Sequence, residues 1–484
     1  MIRVAGPVSI AAAFWGLALV ALAALQAWGY VDNGVLELSG KAIMAAEGRG
    51  TIEEVVTTYP PLPLLLSLPF AFAAPAGIPP AALAAALLAG VFGATLYYGF
   101  RAEGISRIAA FIAVLFLLAN PFAIYAVASG PGVMLMMLAL LLLARGLFGL
   151  SGEAAAPDMM MVAIALVILA FAHPFGLILA IASVPGFALA APPAMIARTP
   201  GSLFLLLLFP LLFSFFSFVY TRWALGADPW SVFRWAMSAA PSETSGVPAS
   251  AGGFALEMLP AIALTAPLMT AFVIWTYRRP SLLLPAVALV FLVVIAAVLE
   301  AAFRGHGEKE LALAISLAAA GACALQVAKD RMGSVLVLLL AGVGGAFLTI
   351  ASPTLQEGEP WRIAPTTAGM RQLSVAKLGE ALCETEGVLV DTDAHPDVVQ
   401  VCATAKSLIV AGEAEFEIQV QSRRLTSPYV LVGAPETALH LDRLALTFPN
   451  LYEHGAPGYA LVYSDAGWRV YARTAAQPEP WSGE

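Results

Sequence analysis

Apolar and polar positions alternate along this chain in long blocks rather than at single-residue spacing. Uninterrupted apolar runs at about 9–29, 80–101, 107–126, 131–149, 159–175, 176–191, 202–223, 257–277, 281–300, 309–328 and 332–351 each approach or exceed membrane length. A helix needs roughly 20 apolar residues to span a bilayer, whereas barrel strands alternate and last about 10. The pattern predicts a polytopic α-helical membrane protein with about eleven spans. The run from Pro61 to Ala74 is shorter and broken by Pro63 and Pro69, so it reads as a re-entrant or interfacial segment. After Ser352 the blocks stop. Short apolar runs at 387–391, 407–411 and 429–433 read as buried strands, and 459–471 reads as a β-hairpin. Interleaved with helical stretches such as 374–384, they predict a small C-terminal α/β domain. The expected division is therefore 1–352, the membrane domain with an outward loop at 30–62, and 353–484, the C-terminal domain.

Composition agrees with this reading. Of 484 residues, 60% are hydrophobic and 12% are charged, against about 25% charged in ordinary domains. Residues 1–352 hold 15 acids and 15 bases, and 353–484 hold 17 acids and 9 bases, so the net charge of −8 lies wholly in the C-terminal part. An acidic solvated domain argues against nucleic acid as a partner. With the N-terminus cytoplasmic, Arg101, Arg107, Arg145, Arg198, Arg278, Arg279, Lys329 and Arg331 all fall on the inner side, as the positive-inside rule requires. The first loop, the loop at about 224–256 and the C-terminal domain then face the periplasm of a bacterial inner membrane.

Four places carry candidate chemistry. The first loop opens on Asp32, passes a Glu47-Gly48-Arg49-Gly50 corner and the acids Glu53 and Glu54, and ends at Tyr59-Pro60-Pro61-Leu62. A short loop, Arg304 to Glu310, places Arg304, His306 and Lys309 where a phosphate would be received. His173-Pro174 interrupts an apolar run, which fits an imidazole satisfying freed backbone groups. Asp391-Thr392-Asp393, with His395 and Asp397 nearby, is either a divalent-metal site or a strand-ending turn. Cys383 and Cys402 fall in the same outward domain, where a disulfide is permitted. Walker, HExxH and GxSxG motifs are missing from the sequence.

The order of a span, an acid-bearing outward loop, Tyr-Pro-Pro-Leu, many spans and an outer domain resembles the GT-C class of integral membrane glycosyltransferases. Protein mannosyltransferases and lipid A aminoarabinose transferases belong to that class. The resemblance implies transfer of a sugar from a polyprenyl-phosphate donor to a hydroxyl on a lipid, polysaccharide or protein acceptor, within membrane lipids. It implies Asp32 as base, Glu53 or Glu54 as second acid, and Tyr59, Pro60, Arg304, His306 and Lys309 around the donor. A divalent metal is an open question. Two departures stand out: Thr57-Thr58 precede Tyr59 where many members have an acid, and Ser129-Gly130-Pro131-Gly132 stands where many have another. The alternatives are a transporter or flippase of lipid-linked substrates, or a catalytically degenerate scaffold.

Overall fold

The computed structural model describes residues 5–27, 32–49, 58–152, 155–198, 200–226, 228–230, 280–304, 309–327, 377–379, 382–434, 442–465 and 467–474. Two compact units emerge, one made of 1–21, 59–62 and 85–361, the other of 22–58, 63–84 and 362–484.

The first unit is helical. Among the described residues of the chain, Pro7–Ala27, Pro80–Ala102, Pro131–Ser151 and Pro200–Ala224 are long and apolar enough to cross a membrane. Arg107–Leu118 and Pro121–Ala128 would add a fifth crossing if taken together, although they bend by 68° at their junction. These are the features of a membrane-embedded helical protein. The expected spans at 257–277 and 332–351 lie outside the described residues. The 107–126 run departs from the expected continuous span for a local reason. Asn120 accepts from the Phe122 N–H at 3.0 Å, and Pro121 then opens a new helix with no N–H to offer. The same device splits the next pair. Ala156–Ala172 ends at His173, whose Nδ1 accepts from the Phe175 N–H at 3.2 Å to cap Pro174–Ala182. Val184–Ala190 follows as a further short helix, so the 176–191 run is two pieces rather than one.

Helix Pro131–Ser151 is buried on nearly every side, whereas Pro200–Ala224 leaves Leu205, Phe209, Phe213 and Phe216 largely exposed. A helix that is apolar all round belongs either inside a bundle or against lipid.

Among its described residues the second unit holds five strands: β1 (Val388–Leu389), β2 (Leu408–Ile409), β3 (Tyr429–Gly433), β4 (Tyr459–Asp465) and β5 (Trp468–Arg473). Their order is β2-β1-β3-β5-β4. β1 pairs in parallel with β2 and β3, while β5 pairs antiparallel with β3 and with β4, the hairpin read from the sequence. Strands β1, β2, β3 and β5 are covered on both faces, as continuous apolar strands require, whereas the edge strand β4 is largely exposed. Val388, Val390, Leu431 and Val470 point into one core, and Leu389, Val430, Val432 and Tyr471 into the other. The first of these cores also contains Ile43, Met44 and Ala74. A helix from the first loop therefore completes the sheet's packing.

Candidate functional site

The part of the first loop described at 32–49 is a folded element. Helix Asn33–Ala46 repeats buried positions at Val35, Ser39, Ala42 and Ile43, the spacing of a one-sided helix. On its more open side Glu37 and Lys41 pair at 2.6 Å, one turn apart. Asp32 is its N-cap: one carboxylate oxygen accepts from the Gly34 N–H at 2.8 Å and the Val35 N–H at 3.4 Å. An anion there also meets the positive end of the helix dipole. The acid singled out as a base thus has a structural task.

The far end of the helix grips the sheet. Glu47 accepts from the Thr404 hydroxyl at 2.6 Å and from the Ala405 N–H at 2.7 Å, using a separate oxygen for each. Arg49 donates to Glu413 at 2.8 Å and to the Lys406 carbonyl at 2.7 Å. Between these ends, Gly40 lies so close to Pro396 that an added Cβ would come within 2.7 Å of its carbonyl oxygen. Thr404 stands two residues beyond Cys402, which is joined to Cys383 by a disulfide with Cα atoms 5.0 Å apart. The Glu47–Arg49 corner looked in the sequence like a mere turn. Charged residues two apart around a glycine carry no signal of a partner over 350 residues away.

The other end of the loop belongs to the first unit. Tyr59 precedes Pro60 through a cis peptide bond, and its hydroxyl donates to the Ala170 carbonyl at 2.7 Å. Its ring lies 6.0 Å from Phe218, which Phe171 meets edge-on at 5.6 Å, and the Arg222 guanidinium sits 5.9 Å above the Phe218 ring. Tyr59 and Pro60 are thus fixed at the ends of helices Ala156–Ala172 and Pro200–Ala224. Arg222 and Phe218 were not anticipated there. Trp223 and Trp230 are exposed.

Several expected residues have no described surroundings. Glu53, Glu54 and His306 lie outside the described residues. Arg304 closes helix Pro280–Arg304 and Lys309 opens helix Lys309–Val327.

The Asp391 cluster resolves in favour of the turn. Asp391 Oδ1 accepts from the N–H groups of Asp393 and Ala394, and Oδ2 from that of Arg443. Both oxygens serve the backbone, and among the described residues no group of His, Cys, Asp or Glu is placed to hold a metal ion. Burial raises the Asp391 pKa, with Asp442 and Asp393 adding to the push while the Arg443 N–H works against it. Asp442 goes the other way. Burial opposes its charge, yet His395, at 3.3 Å, and the N–H groups of Ala445 and Leu444 hold its pKa below the usual value. The His395 ring meets Trp468 edge-on at 4.9 Å and is almost wholly buried. These groups pin the loop after β1 to helix Arg443–Thr447, across which Arg443 also pairs with Glu417 at 2.6 Å.

Set beside models of known protein families and beside curated proteins, the chain matches none.

Proposed function

We propose that this protein is a membrane-embedded glycosyltransferase of the GT-C kind, moving a sugar from a polyprenyl-phosphate donor to an acceptor hydroxyl. The observation that carries this reading is the helix that opens the first loop. An acid heads a one-sided helix directly after a membrane-length helix, and the same loop closes on a fixed Tyr59-Pro60 elbow. In the reaction the Asp32 carboxylate takes the acceptor proton as that oxygen attacks the anomeric carbon. The bond from the anomeric carbon to the donor phosphate breaks with inversion. The departing phosphate carries the bonding electron pair and is stabilised by cationic donors, for which Arg304, His306 and Lys309 are the candidates, with Glu53 or Glu54 as the second acid. The periplasmic face of a bacterial inner membrane suits this chemistry. The positive-inside rule applied to the basic loops of the sequence supports that orientation, and so does the Cys383–Cys402 disulfide, a bond of oxidising compartments.

The capping role of Asp32 makes the test sharper. Asn caps a helix about as well as Asp, so Asp32→Asn keeps the helix and removes only the negative charge. Sugar transfer from a labelled polyprenyl-phosphate sugar into membrane acceptors should be lost in that variant. Transfer at the wild-type rate removes Asp32 from the mechanism.

A binding scaffold is the second reading, favoured by one observation. The first loop spends Asp32, Glu47 and Arg49 on its own folding and on the sheet. A purified chain that binds the lipid-linked sugar without transferring it would support this reading.

A further inference from the structure

Three helices of the first unit end around a small cavity of about 80 Å³. One water needs roughly 10–15 Å³ of such space, so the cavity admits a group of several heavy atoms. Its polar lining comes from Glu103, just past the end of helix Pro80–Ala102, from Arg145, in the last turns of Pro131–Ser151, and from Gln326, at the end of Lys309–Val327. The helices approach closely because Gly99 leaves room for Leu325, whose side chain would lie 2.5 Å from a Cβ at that position.

The charges around this cavity are unusual. Glu103 and Arg145 face one space, yet they form no ion pair with each other, and neither side chain has a hydrogen-bond or ion-pair partner among the described residues. The neighbouring Arg101 is already engaged, donating to the Ile105 carbonyl at 2.5 Å. The C-terminal ends of two helices add partial negative charge on the Glu103 and Gln326 side. A negative end and a positive end, held apart across a space of this size, match a ligand carrying both charges.

The geometry points to a binding site for a phosphoethanolamine headgroup, supplied by an aminophospholipid of the surrounding leaflet. Its primary ammonium donates to the Glu103 carboxylate and the Gln326 amide oxygen, and its phosphate receives the Arg145 guanidinium. A choline headgroup has the same charges but no N–H to donate, and a glycerol headgroup has no cation. The site therefore selects a primary-ammonium headgroup over choline and glycerol headgroups. It is independent of the transfer chemistry proposed above.

The test is native mass spectrometry of the full-length protein extracted from nanodiscs of phosphatidylethanolamine, phosphatidylcholine and phosphatidylglycerol in equal parts. The wild type should retain phosphatidylethanolamine at least tenfold over phosphatidylcholine. Glu103→Gln and Arg145→Gln should bring that ratio to within about twofold, while Arg145→Lys keeps most of it. Both positions border solvent, and an unchanged elution profile and helical circular dichroism certify folding. Equal retention of the three lipids, or selectivity unaltered by both glutamine variants, overturns the site. Soluble glycerophosphoethanolamine separates the sources. If it stabilises the delipidated protein against heat as well as the lipid does, the ligand is a free zwitterion and the lipid assignment fails.

Discussion

The two ends of helix Asn33–Ala46 each carry an acid, and the two acids are held in opposite ways. Asp32 sits at the N-terminus, where the helix's own N–H groups and positive dipole end receive a carboxylate. Glu47 sits at the C-terminus, where the dipole repels it, and it stays because Thr404 and Ala405 of the sheet unit receive it instead. The first acid accepts from N–H groups of the helix it caps. The second is satisfied only while the sheet is folded. One end of the helix is thus capped by an acid held on the helix's own N–H groups, and the other is tied to the sheet.

The strongest way to break this contrast is through the disulfide. Cys383 and Cys402 are 19 residues apart, and closing a loop of that size is worth about 3 kcal/mol. Replacing both with alanine, or adding a dithiol reductant, should lower the unfolding midpoint of the sheet by that order. Hydrogen exchange should then rise at Ile43–Glu47 before it rises at Asn33–Val35. Uniform exchange along the helix would show that its two ends are not held separately.

Next in size is Glu47→Ala, which leaves the Thr404 hydroxyl and the Ala405 N–H without their acceptor. Half-buried orphaned donors cost roughly 1–3 kcal/mol, so a loss of about 2 kcal/mol is expected in a denaturant titration of the full chain. Glu47→Gln keeps one of the two acceptor oxygens and relieves the dipole repulsion, so it should cost less. A glutamine variant as damaging as the alanine one would mean that charge, rather than the pair of hydrogen bonds, holds this end.

Part of this architecture was legible in the sequence, and the reason is physical. Long apolar blocks and short buried strands are patterned signals, so the apolar helical character of the chain, the break at His173-Pro174, the buried strands and the hairpin read at 459–471 could be taken from spacing. Of the eleven expected spans, four helices, or five with the bent pair, are long and apolar enough to cross among the described residues. The break at Asn120-Pro121 was written there too, as a capping residue followed by proline, but it was hidden inside an otherwise apolar run. The grip of Glu47 and Arg49 on the sheet had no such signature. It joins residues over 350 positions apart, and a polar corner looks the same whether its charges face water or a partner. Candidate chemistry was legible only as residue types. Asp391 shows the limit: Asp-x-Asp followed by His suggests a metal, yet both its oxygens are taken by backbone N–H groups that no sequence pattern reveals.

A smaller effect is expected at Arg49, whose pairing with Glu413 is about a third exposed on the arginine side. Partly exposed ion pairs contribute roughly 0.2–1 kcal/mol. Arg49→Glu should cost about 1 kcal/mol, because it also removes the donor to the Lys406 carbonyl. Adding Glu413→Arg should recover part of that loss but not the carbonyl contact. Full additivity of the two single variants would show that the pair is not coupled.

The smallest effect on stability belongs to Asp32, and it separates the two ends most sharply. Asp32→Ala removes a cap worth about 1 kcal/mol and should fray the first turn while leaving Ile43 and Met44 in the sheet's core. Asp32→Asn should leave the unfolding midpoint unchanged within error. If it also abolishes sugar transfer, the carboxylate is doing something a cap does not need. That outcome would set Asp32 apart from Glu47, whose alanine variant should lose transfer only in proportion to the protein that remains folded. If Asp32→Asn and wild type transfer sugar equally, both acids of this helix are structural, and the base must be sought among Glu53 and Glu54.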